Sequence, residues 1–140
     1  MNEHLIVRVV TKLLVPFVLL FAIYVQMHGD FGPGGGFQAG VIFATGFIVY
    51  GLVFGIGRLT KALPVRVLLF GVSGGLLLYA GVGVASLFAG GTYLDYSALD
   101  SHDPVHGQHL GILLVELGVG ITVASVMTAI FITFAERWHR

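Results

Sequence analysis

There is no cysteine in this chain. That excludes disulfides, thiolate nucleophiles and cysteine-held zinc or iron–sulfur centres, and says nothing about compartment. Charge is also scarce. Seven basic and seven acidic residues make up 10% of the 140 positions, where a soluble domain carries about 25%. The two signs cancel, so there is no basic surface for nucleic acid. Regular alternation of apolar and polar residues is missing too, which excludes the strands of a membrane barrel. What remains is an apolar chain, 56% hydrophobic with a mean hydropathy of +0.95. Its solvent is expected to be lipid or other membrane protein.

Four apolar segments, at about residues 5–27, 37–56, 67–89 and 110–134, each reach the roughly 20 residues that a spanning helix needs. Helices are the only open-ended way to satisfy every backbone group inside the bilayer. The expected fold is therefore an all-α membrane protein with four transmembrane helices, forming a single domain over residues 1–140. The first apolar run lacks a small-x-small cleavage pattern and is followed by three more, so it reads as a retained span rather than a signal peptide.

The cations fix an expected orientation. Arg8, Lys12, Arg58, Lys61, Arg66, Arg137 and Arg140 all fall before the first span, within its first turns, between spans two and three, or after the fourth. The stretches 28–36 and 90–108 hold acidic residues and no Lys or Arg. The positive-inside rule then puts both termini in the cytoplasm. Tyr93 and Tyr96 on one side and Trp138 on the other suit interfacial belts. Pro16 is expected to bend the first helix. Short connections predict that spans one and two, and spans two and three, pack as antiparallel neighbours. A short turn or helix is expected around 93–99.

The stretch Pro33, Gly34, Gly35, Gly36, Phe37, Gln38, Ala39, Gly40 lies between the first two spans. At its simplest it is a tight turn, in which proline fixes one dihedral and the glycines allow positive φ. A phosphate cradle is excluded, since neither a preceding strand nor a Gly-Lys-Ser/Thr ending is present. The alternative is that unwound backbone at the head of the second helix lines a polar cavity, with Gln38 pointing inward. This run resembles the signature of the MnhB/MrpB family, the B subunits of multi-subunit Na+/H+ antiporters. The segment from Leu114 to Val123 is similar to that family's last helix, and the resemblance covers essentially the whole chain. It implies an accessory subunit of a hetero-oligomeric cation/proton antiporter, with no cofactor and no catalytic role of its own. The partners implied are the bilayer and the other subunits, among them large proton-pumping subunits similar to those of respiratory complex I. The complex as a whole would carry Na+ and H+. A membrane subunit of a related membrane-bound hydrogenase and a purely structural assembly subunit are the alternatives.

Glu116 is the single acidic residue inside an expected span. An ionisable group at such depth marks a functional site unless it only fixes packing. His109 lies seven residues earlier on nearly the same face, with His106 and Asp103 beyond it. Together they suggest a polar ladder, and Glu116, His109 and Gln38 are the candidate ion-pathway residues. The histidines at 102, 106 and 109 have too few neighbouring carboxylates to argue for a metal site. Glycine pairs four apart, such as 36/40, 51/55 and 71/75, predict close helix contacts, in part with other subunits.

Overall fold

The structure, a computed structural model, describes residues 4–138. Arg140 lies outside them. Its five helices are α1 (Leu5–His28), α2 (Gly36–Phe54), α3 (Ile56–Ala62), α4 (Val65–Phe88) and α5 (Pro104–Trp138), with a 3-10 turn at Tyr96–Leu99. Helices α1, α2, α4 and α5 are long and apolar enough to cross a membrane, as the four expected spans require. The 3-10 turn falls within the stretch where a short element was expected. Helix α1 runs unbroken through Pro16.

Two boundaries differ from expectation, each for a local reason. The second span stops at Phe54 because Gly55 adopts φ +95°, a conformation glycine reaches without strain. The chain then turns into the short α3. The fourth span, α5, starts at Pro104, six residues early. Asp103 accepts bonds from the N–H groups of Val105 (3.1 Å) and His106 (3.2 Å) through its Oδ1, so it acts as an N-cap. Pro104 occupies the first helical position, where its missing N–H costs nothing. At 35 residues α5 is about 52 Å long, more than a bilayer core needs.

The packing order is not the chain order. Helix α5 is central, with α2 against one side and α4 against the other, and α1 packs on α2. The expected pairing of spans two and three is therefore replaced: α2 and α4 are separated by α5. The cause is glycine matching. A Cβ at Gly40 would sit 2.7 Å from the Gly120 carbonyl, and one at Gly118 would sit 2.8 Å from the Gly75 carbonyl. Gly71 and Gly75 rest on Ser125 and Thr122 of α5. These glycines are thus used within the chain, whereas Gly74 and Gly81 face open space.

At one end Leu59, Leu68 and Ile132 form a buried cluster that ties α3, α4 and α5 together. Arg58, Lys61, Arg66 and Arg137 lie at that same end. At the other end, the 3-10 turn covers α5. Tyr96 packs over Gly111, and Tyr93 covers Gly83 of α4. Burial there raises the Tyr96 phenol above its usual value, and Tyr79 adds to the effect.

Candidate functional site

The glycine turn and Glu116 form one structure. The turn runs from Gly29 to Gly35, where φ reaches +121°, and α2 begins at Gly36. Gly29 and Gly35 both face the Glu116 carboxyl. A Cβ on Gly29 would come 2.8 Å from Oε1, and one on Gly35 would come 3.0 Å from it. Gly36 rests on the backbone of Glu116 itself. No side chain larger than hydrogen fits at Gly29 or Gly36 without moving Glu116. The carboxyl therefore sits beside the N-terminus of α2, whose unpaired N–H groups carry partial positive charge.

Asp30 follows Gly29 in this turn, next to the residue that faces the Glu116 carboxyl. Its Oδ2 bonds to Nδ1 of His109 from α5. Phe31 stacks on the same imidazole with ring centroids 6.3 Å apart. The turn between α1 and α2 is thus clamped to α5 at two points, Glu116 below and His109 above. The two are seven residues, about 10 Å, apart along α5. Asp30 lies between them and completes a series His109, Asp30, Glu116. It carries no periodicity that would have marked it, because it sits in a turn.

The expected ladder survives only in part. His106 turns to another loop, bonding Asp100 Oδ2 at 3.1 Å on the exposed surface. Asp103 is spent on the helix cap. Gln38 is a correction. It lies on the exposed side of α2, while its neighbours Gly36, Ala39 and Gly40 face α5. At about 100° per residue Gly36, Ala39 and Gly40 share one face, and Gln38, about 200° round from Gly36, falls on the opposite one. The inward amide is Gln26 of α1, which sequence reasoning did not single out. Among the turn residues Gly35 and Gly36 are buried, Gly34 packs on the Val25 carbonyl, and Pro33 and Phe37 lie on the exposed crown.

The outer loop has its own electrostatics. Asp100 accepts backbone N–H bonds from His102 and Asp103, and these hold its carboxyl below the usual carboxylate range. A lowered folded value means stability that is present above the ordinary value of 3.8 and is lost as pH falls through the lowered one. The protection of the His102 and Asp103 amides, taken relative to the intrinsic exchange rate at each pH, is expected to hold at neutral pH and to fall in acid below the ordinary carboxylate range. Equal protection at both would show that the turn does not depend on this carboxylate.

Four membrane-length helices, a glycine-seated carboxyl at a helix head and a linked His–Asp pair define a polytopic membrane protein with a polar site on one side of its bundle. The profile of a family described as a domain related to the MnhB subunit of Na+/H+ antiporter matches residues 6–129. Antiporter subunit mnhB2 of Staphylococcus haemolyticus is 32% identical over 136 residues, 96% of each chain. The mnhB2 proteins of Staphylococcus epidermidis and Staphylococcus aureus are 31% identical over the same share. The chain belongs to the MnhB family.

Proposed function

We infer that this chain is a membrane subunit of a multi-subunit Na+/H+ antiporter and a transporter component rather than an enzyme. Membership of the MnhB family and the printed names of its relatives support that reading. In it, residues 1–140 act as one membrane unit with both termini in the cytoplasm of a prokaryotic plasma membrane. The cations gathered at one end of the bundle support the orientation. Its neighbours include the large proton-pumping subunits similar to those of complex I.

Within the complex, Glu116, Asp30 and His109 flank the ion path and pass a proton or hold a cation near its outer mouth. The observation that carries this is the seating of the Glu116 carboxyl against Gly29 and Gly35, in series with the Asp30–His109 pair. An ionisable group inside a spanning helix, set next to a second ionisable pair on the same turn, is a functional-site candidate by default.

The test is Asp30→Asn and His109→Gln in the assembled complex, with cation-driven proton movement followed in inside-out vesicles. Each is expected to lower antiport severalfold and change its pH dependence, with the other subunits still co-purifying. Activity and pH profile equal to wild type in both would reduce the pair to a loop clamp.

A further inference from the structure

An open trough runs along the side of the bundle, with α5 as its floor, α1 and α2 as one wall and α4 as the other. It exists because α2 and α4 pack on α5 and not on each other. No charged residue lines it. Gln26, Ser125 and Thr128 apart, the lining is apolar, with Phe43 and Phe47 from α2 and Ile121 and Ala124 from α5.

Its dimensions decide what fits. The volume is about 410 Å³. Along α5 the trough runs from Leu117 to Thr128, eleven residues or about 16 Å. The mean cross-section is therefore about 26 Å². A helix about 10 Å across needs roughly three times that, whereas a single hydrocarbon chain is narrow enough. One leaflet of a hydrocarbon core about 30 Å thick is about 15 Å deep. The trough thus has the length of one acyl chain in its leaflet.

The two ends differ in charge. Near Gln26 the trough ends beside the glycine turn, where Asp30 and Glu116 would repel an anion. At the other end Leu63 and Val67 are in the lining. Lys61 lies two residues before Leu63 and Arg66 directly before Val67, and both are exposed. The shared burial of Leu59, Leu68 and Ile132 holds α3 against α4 and α5, which keeps the two cations at this mouth. Among the described residues neither is in an ion pair, and Glu136 is the single acid at this end. Long cationic side chains lay their stems on apolar surface and lift the charge to headgroup level. There an arginine fork matches the geometry of a phosphate, and a lysine adds a second charge.

We propose that the trough and its charged mouth bind one anionic phospholipid, with an acyl chain along α5 and the phosphate on Lys61 and Arg66. Neither a role for Glu116 nor the choice of which end faces the cytoplasm enters this inference.

The test uses the purified complex in phosphatidylcholine vesicles. Trace phosphatidylglycerol or trace phosphatidylcholine is added, each with a photoreactive diazirine on one acyl chain. Irradiation and peptide mapping compare adducts on residues 117–128 of α5 with adducts on Leu77, which is exposed on α4. The anionic probe is expected to label the trough about 25-fold more than the neutral one, about fivefold for each cation, with Leu77 labelled alike by both. Lys61→Gln combined with Arg66→Gln is expected to remove that preference. Arg137→Gln, nine residues beyond Thr128 on α5, is expected to keep it. Ala124→Phe, which fills the floor without changing charge, is expected to abolish trough labelling by both probes. Equal labelling of the trough by the two probes would overturn the proposal, and so would a preference that survives loss of both cations. Labelling of Leu77 with none in the trough would also overturn it, since protein would then fill the space.

Discussion

Gly36→Ala is expected to remove most of the folded subunit from the membrane. The added Cβ would lie no more than 3.0 Å from the carbonyl oxygen, carbonyl carbon and Cα of Glu116. All three are backbone atoms of a central helix, and none can swing aside like a side-chain end. Helices α2 and α5 must therefore part along a seam that also includes Gly40 and Gly120. Overpacking of this kind costs typically 1–3 kcal/mol, and a backbone-on-backbone contact puts it at about 3 kcal/mol or more. Gly74→Ala and Gly81→Ala supply the contrast, because nothing lies within 4 Å of a Cβ at either. There alanine is expected to be neutral or to gain up to about 1 kcal/mol from helix propensity. Membrane yield and thermal aggregation in mild detergent, measured for all three, check the prediction. Equal behaviour at 36 and 74 would show that the seam yields more easily than its geometry indicates.

The second large effect belongs to Glu116. Glu116→Gln keeps the shape of the side chain and so the fit against Gly29 and Gly35, but removes the exchangeable proton and the charge. Assembly is expected to hold, while antiport falls roughly a hundredfold, the low end of what a positioned proton-transfer group contributes. Gly29→Ala separates position from chemistry. It retains the acid but adds a methyl 2.8 Å from Oε1 and 2.8 Å from the Gly35 Cα. It is expected to lower activity with the carboxyl still present. Full antiport in vesicles bearing Glu116→Gln would leave the residue a packing role only.

These expectations mark where sequence and structure part. Glu116 stood out in the sequence because a lone acid in an apolar run is conspicuous whatever surrounds it. The glycine run after Pro33 was equally visible, and the structure makes a turn of it, with Gly35 at φ +121° against the Glu116 carboxyl and Gln38 outside rather than inward. Which amide faces inward did not follow. Gln38 sits inside the recognisable motif and Gln26 in an ordinary stretch of α1, yet the exposed one is Gln38. A helix that is apolar all round has no polar face from which orientation can be inferred. Asp30 escaped notice because a turn acid looks solvated until its imidazole partner, 79 positions away in the chain, arrives.

Hydropathy and charge are local and add along the chain. By themselves they determined that four segments are long and apolar enough to cross the membrane and that the cations gather at one end of the bundle, while the resemblance to MnhB subunits lay in the Pro33–Gly40 run and the segment from Leu114 to Val123. Its place in that family then rested on the match over residues 6–129. Helix order was decided only in three dimensions. The shortness of the connection between α2 and α4 argued for neighbours, but both helices find their closest approach on α5, where glycine meets glycine. Such fit is a property of two surfaces together, so neither strand of sequence contains it alone. That central position of α5 is also what brings Glu116 and His109 to the glycine turn.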